Sequence, residues 1–501
     1  MHRGFRFGVT IVVVLASVLA VRARASVGAD ADVQFQVATL LFDETRYWEA
    51  LQAFEAATQA EDAALAIRAR KGKIRTALRV AEFGMARKEA ETLRSQVPGD
   101  AEAIALYGDA LWANGLFDES ENAYRESAAL APASPRARFG LARSLATRTR
   151  LDEALNEALA AAAASPRDGE IYAAIGEIYE RMNRYDQAAI AYNNYINLLP
   201  NKDRSDKAAW SRAQVQFLES FEGKTPVDIA AEDRDRLHTV PFRLVKDKVV
   251  VKARINGASP QDFVLDTGSE DTVISAPVAQ RERVKPVTYT LSAGVGEIGL
   301  RGLQLARLDS LEIGTLRVNN LPVLIKSPAL RDIPKREAES FSPLSLGMSM
   351  TIDYKAKLLT IARKLPTDTA DFRLPMRISR LAMVRGMLNS SKPAYFVVDT
   401  GGEVISISAD TASGLTPTFS RKIPLRVYGT SGWDRDAFLM PGIDLEFDKI
   451  SYKNFPLVVL NLRAPSILLG FQVGGIVGHK FLAGYRVSMD MANSELRLEK
   501  F

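Results

Sequence analysis

Two textures divide the 501 residues. From residue 33 to 221 the chain is rich in Ala, Leu, Glu and Arg, with apolar positions at helical spacing, which predicts amphipathic helices. The pattern has a period: Pro98, Pro132, Pro166 and Pro200 lie 34 residues apart, and Ala86, Ser120, Ala154 and Ala188 keep the same step. That is the length of a helix-turn-helix unit in a solenoid, with small residues such as Gly108 and Gly176 letting paired helices approach and Pro ending the second helix. Three regular units are predicted over 101–134, 135–168 and 169–202, with two weaker ones beginning near Val33 and Ile67. Trp210, Val215, Phe217, Leu218 and Phe221 predict one more helix, which covers the solenoid's end.

Residues 222–238, with Lys224-Thr225-Pro226 and the charged run Glu232 to Arg236, read as a linker. Beyond it the helical period disappears. Short apolar stretches (Phe242–Val245, Val249–Ile255, Phe263–Leu265, Thr272–Ser275, Leu308–Ile313, Leu321–Ile325) alternate with Gly, Pro and Asn turns, so this half is predicted to be mainly β. It is also doubled. Asn256, Pro260, Phe263, Asp266, Thr267 and Gly268 recur 133 residues later as Asn389, Pro393, Phe396, Asp399, Thr400 and Gly401. Further on, Leu311-Glu312-Ile313-Gly314 matches Leu445-Glu446-Phe447-Asp448, and Leu346-Gly347 is aligned with Val477-Gly478. Two lobes follow, 239–366 and 370–501.

Composition narrows the chemistry. There is no cysteine, and only His2, His238 and His479 supply imidazole, which disfavours thiol nucleophiles, thiolate metal sites, Ser-His hydrolases and multi-histidine metal centres. A net charge of +5, without a basic run, does not suggest nucleic acid. At the N-terminus, Arg3 and Arg6 precede an apolar run from Val9 to Val21, and Ala23-Arg24-Ala25 offers small residues at a cleavage site. This predicts a signal peptide over 1–25, a mature chain starting at Ser26 and a periplasmic or secreted location. The other reading is an uncleaved anchor, for which the run is short against the ~30 Å of a hydrocarbon core.

Each Asp-Thr-Gly turn follows an apolar strand in a duplicated unit, so a pseudo-twofold arrangement brings Asp266 and Asp399 face to face. Two such carboxylates share one proton; the ionised one can activate water while the protonated one hydrogen-bonds a carbonyl. No metal or cofactor is required. The alternative is a pair of duplicated turns with solvated Asp.

On these residues the β half resembles the retropepsin-like aspartic proteases, in the form that carries two lobes in one chain. Val264 to Ser275 is similar to that family's active-site signature and Ile476 to Leu482 to its second signature. The helical half resembles tetratricopeptide repeats. The resemblance implies a double-lobed β barrel with catalytic Asp266 and Asp399 and supporting turn residues Thr267, Gly268, Ser269, Thr400, Gly401 and Gly402. It also implies Gly-rich flaps, at Gly294 and Gly296 in lobe one and at Tyr428, Gly429, Gly432 and Trp433 in lobe two. A peptide or protein substrate, a protein partner on the repeats and a monomeric state are expected. Three departures stand out. Gly402 replaces the hydroxyl residue Ser269, Ser345 occupies an apolar position of the second signature, and lobe one is too short for the helix that follows. The rival to an exported endopeptidase is a scaffold whose protease-like lobes have decayed into a binding module; a lesser one has the repeats acting only as a spacer.

Overall fold

The computed structural model describes residues 30–296, 299–326, 339–367, 369–417 and 422–501, so the predicted leader lies outside the described residues. No helix among the described residues is long and apolar enough to cross a membrane.

Helices fill 30–219 in antiparallel pairs, among them Ala101–Ala113 with Phe117–Leu130, Pro135–Thr147 with Leu151–Ala164, and Gly169–Arg181 with Tyr185–Leu198. The 34-residue period is reinforced by the N-caps: side chains of Asp100, Ser134 and Asp168 accept backbone N–H groups of their first turns. The small residues act as predicted. A Cβ on Gly108 would lie 2.7 Å from the Tyr124 ring, and the Ser120 hydroxyl donates to the Gly108 carbonyl at 2.8 Å.

The β half consists of two copies of one curled sheet. In lobe one, the strand Gln261–Leu265 pairs antiparallel with Lys248–Ile255 and parallel with Glu339–Phe341. In lobe two, Lys392–Asp399 pairs antiparallel with Leu381–Leu388 and parallel with Gly475–Gly478. Equivalent strands meet between the lobes: Ser349–Asp353 pairs with Tyr485–Asp490, Met350 opposite Met489. Three strands of lobe one thereby join a thirteen-stranded sheet that continues through lobe two, and one apolar core runs through both lobes.

Register corrects one sequence alignment. Leu265 pairs with Phe341, while its counterpart Val398 pairs with Val477. Phe341-Ser342, not Leu346-Gly347, therefore corresponds to Val477-Gly478. The expected loss of a helix in lobe one is also wrong, because a 3-10 turn, Pro343–Leu346, stands where lobe two has the helix His479–Leu482. Ser345 belongs to that turn, where its hydroxyl donates to Ser342 O at 2.6 Å, so it is not an eroded apolar position.

The 222–238 segment does not hang free as a linker. Asp228 and Asn319 exchange backbone hydrogen bonds at 2.9 and 2.8 Å, and buried His238 donates from Nε2 to Asp233 O at 2.8 Å and meets Thr315 Oγ1 through Nδ1 at 3.0 Å.

The solenoid grips both lobes. On lobe two, Phe117 sits edge-on to Trp112, Tyr395 and Phe471 at 4.9 to 5.0 Å, and the Gln472 N–H donates to Ala113 O at 2.8 Å. Beside this cluster Arg377, buried in lobe two, pairs with Asp118 and with Glu121 at 2.8 Å. On lobe one, Phe217 and Phe221 pack against Leu305 and Leu324. Replacing Phe117 by Ala should destabilise the protein by about 3–5 kcal/mol in urea denaturation; a loss below about 1 kcal/mol would show that the solenoid is not seated on lobe two.

Candidate functional site

Each Asp-Thr-Gly turn hangs from a strand whose inward residues are fully buried: Phe263 and Leu265 in lobe one, Phe396 and Val398 in lobe two. These anchors fix where each strand ends. The two threonines then lock the turns together. Thr267 Oγ1 donates to Val398 O at 2.6 Å and accepts the Thr400 N–H at 3.0 Å. Thr400 Oγ1 donates to Leu265 O at 2.7 Å and accepts the Thr267 N–H at 3.2 Å. Both side chains are fully buried, so four bonds between lobes are made out of reach of water.

The lock brings Asp266 and Asp399 side by side: a Cβ on Gly401 would lie within 3.0 Å of a carboxyl oxygen of each. Glycine is required by the close approach: a Cβ on Gly268 would fall 2.4 Å from Asp399 Cγ, and one on Gly401 would fall 2.7 Å from Asp266 Oδ1. Burial first, and the neighbouring carboxylate of Asp399 second, raise Asp266 to about 7; burial raises Asp399 too.

The pair is unequal, but not through the serine hydroxyl expected from sequence. Ser269 Oγ donates to Asp271 O at 2.8 Å and makes no bond to the pair. The inequality lies in backbone donors. Asp266 accepts the Gly268 N–H at 3.1 Å, whereas Asp399 accepts the Gly401 N–H at a shorter 2.7 Å. A Cβ at residue 402 would crowd Asp399 Oδ2 at 2.9 Å. Behind this turn the Lys248 ammonium donates to the Gly401 carbonyl. Sequence reasoning missed Lys248, although its spacing from Leu381 equals the spacing of the two motifs.

The two expected flap segments meet each other. Gly294 and Gly296 follow the strand Pro286–Ala293, and Tyr428, Gly429, Gly432 and Trp433 form the two-stranded hairpin Val427–Gly429 with Gly432–Asp434. Ser431 N–H donates to Val295 O at 2.9 Å, and Arg301 donates to Thr430 O at 2.7 Å. His479 is buried at the start of its helix, edge-on to Tyr354 at 5.3 Å, away from any catalytic partner among the described residues.

Nothing in the sequence signals that the solenoid faces this site. The carboxylate pair, both flap segments and the helix Gly169–Arg181 line one cavity of about 3640 Å³. Glu177, Glu180 and Arg181 project from the helix side, and Asp271 from the catalytic loop. Burial raises Glu180 and Asp271 to about 7. With Asp266 they keep protons that the unfolded chain releases near pH 4, so each subtracts stability as pH rises towards 7. Lowered carboxyls such as Glu170, at about 2, change stability only at lower pH, and His479, lowered by burial, opposes the trend as a single group. The melting temperature should therefore fall between pH 5.5 and 7.5 in a thermal unfolding series; a rise across that interval would contradict these protonation states.

Comparison with known proteins follows the same division. Residues 251–350 match the aspartyl protease family model, and residues 72–135, 107–168 and 139–203 match a tetratricopeptide repeat model. Among solved structures, the chain is similar to an aspartic proteinase from Irpex lacteus (14% identity, 53% of this chain and 97% of that one, TM-score 0.33). It is also similar to a thermophilic TPR protein of Thermus thermophilus (20% identity, 36% of this chain and 98% of that one, TM-score 0.32). No curated protein matches the chain. The chain thus joins tetratricopeptide repeats to an aspartyl protease-like β domain.

Proposed function

We propose that this chain is an exported aspartic-type endopeptidase whose repeat domain receives the polypeptide to be cut. The observation that carries the reading is the pair of carboxyls, Asp266 and Asp399, set side by side on the wall of a large cavity. One member is ionised and one protonated. The ionised carboxylate takes a proton from water as the water oxygen attacks the scissile carbonyl carbon, and the protonated carboxyl donates to the carbonyl oxygen. The resulting gem-diol collapses when a proton reaches the amide nitrogen, the C–N bond breaks, and the pair returns to its single-proton state. Every proton is accounted for between water, substrate and the two carboxyls.

The cavity supports a role for the solenoid in substrate binding. A chain passing the carboxyls lies within the same cavity as Glu177, Glu180 and Arg181, so the repeats contact what flanks the scissile bond. This reading favours extended, unfolded segments, because the solenoid and the joined flap segments close on the cleft from two sides.

The mature chain should cleave an unfolded protein, with Asp266→Asn and Asp399→Asn each lowering kcat/KM by at least about 100-fold. Activity should decline above about pH 7, where the pair loses its second proton. Binding of the unfolded protein without cleavage would instead favour a decayed, non-catalytic scaffold, and cleavage unchanged in both variants would place the chemistry elsewhere. Export is tested separately: N-terminal sequencing of protein from cells should read Ser26, and an intact Met1 would refute cleavage.

A further inference from the structure

Pseudo-symmetry makes Lys248 conspicuous. Asn256 and Asn389 anchor equivalent turns: their side-chain oxygens accept the N–H groups of Ser310 and Asp444, each at 3.0 Å, and their own N–H groups donate back at 2.9 and 2.8 Å. Counting back along each strand from these asparagines sets Lys248, first residue of Lys248–Ile255, opposite Leu381, first residue of Leu381–Leu388. Both line the cavity. The duplicated fold therefore places a cation behind the pair on one side and an apolar side chain on the other.

The cation meets the turn that holds Asp399. Lys248 Nζ donates to the carbonyl of Gly401, and the N–H of the same residue donates to Asp399 Oδ1 at 2.7 Å. By fixing Gly401, the ammonium holds that donor on the carboxyl and favours its ionised form. Asp266 accepts the Gly268 N–H at a longer 3.1 Å.

We propose that Lys248 is a positioning residue that holds Asp399 as the ionised member of the pair and leaves the shared proton on Asp266. Asp399 is then the group that takes the proton from water, and Asp266 the group that donates to the substrate carbonyl. Asp266, Asp399 and His479 each feel the charge of Lys248; His479 is backed by Tyr354, and Asp247 acts on it in the opposite direction. Burial and Lys248 both favour the neutral form of His479, and Lys326 adds a second, weaker cation on the Asp266 side. Direct Coulombic attraction from Lys248 acts in the same direction on both carboxyls.

This inference rests on the endopeptidase reading, and its test separates the two. Full-length wild type, Lys248→Leu and Lys248→Arg are compared by the pH dependence of kcat/KM on an unfolded protein. Leucine is the residue that lobe two tolerates at the equivalent position. The acid limb reports protonation of Asp399; in Lys248→Leu it should move up by roughly one pH unit, with a smaller move of the alkaline limb, while Lys248→Arg leaves the limb in place. A rate lowered equally at every pH, with the limb unmoved, would reduce Lys248 to a structural prop and overturn the proposal. If wild type cleaves nothing, the endopeptidase reading fails by itself. Carboxyl infrared difference spectra of the same three proteins, titrated without turnover, then decide the inference: the first ionisation of the pair shifts upward in Lys248→Leu, or an unchanged titration overturns it.

Discussion

Everything in the β half depends on the exchange of hydrogen bonds between Thr267 and Thr400. Each hydroxyl donates to the end of the opposite lobe's strand and accepts from the opposite lobe's turn, an exchange made where two equivalent turns meet at an axis. Because the four bonds are buried, removing either hydroxyl would leave donors and acceptors without partner or water, at a cost of about 1–3 kcal/mol for each unsatisfied group. The lock leaves Asp266 and Asp399 nowhere to go but beside each other, so their raised affinity for a proton is a consequence of the threonines as much as of the carboxyls.

The solenoid adds a second constraint. It is fastened to lobe two by an aromatic cluster and a buried Arg377 ion pair, and to lobe one by Phe217 and Phe221 beneath strands that lead to a flap segment. Against the burial that would raise them, Arg377 holds Asp118 and Glu121 below the ordinary carboxylate range. The concave side is consequently held over the cleft, and the enclosed space belongs to both halves. Two symmetric lobes become unequal within it: Lys248 braces the Gly401 turn whose N–H meets Asp399, and the equivalent position in the opposite lobe holds Leu381.

Much of this was legible in the sequence, for identifiable reasons. The 34-residue step of the prolines and small residues reports helix pairs, because each must solve the same packing and termination problem; the N-caps Asp100, Ser134 and Asp168 repeat that step. The doubled Asp-Thr-Gly was visible because its apolar strands and tight turns leave few residue types that fit. Other features were not legible. The second signature of lobe one was misaligned since Pro343–Leu346 forms a compact turn with no helical period to detect, and strand pairing, not residue identity, sets its register. The direction of the Ser269 hydroxyl is a rotamer choice invisible in one dimension. Docking of the solenoid over the cleft rests on contacts such as Phe117 with Tyr395 and Phe471, far apart in the chain and carrying no local pattern.

The central claim is that one chain supplies both halves of a single catalytic pair. It is tested most directly by mixing purified Asp266→Asn with purified Asp399→Asn and measuring hydrolysis of an unfolded protein against wild type over a range of concentrations. The account predicts that the mixture stays as inactive as either variant alone, because neither chain holds two ionisable partners. Activity that appears on mixing and grows with concentration would show that working sites form between chains, and would contradict it.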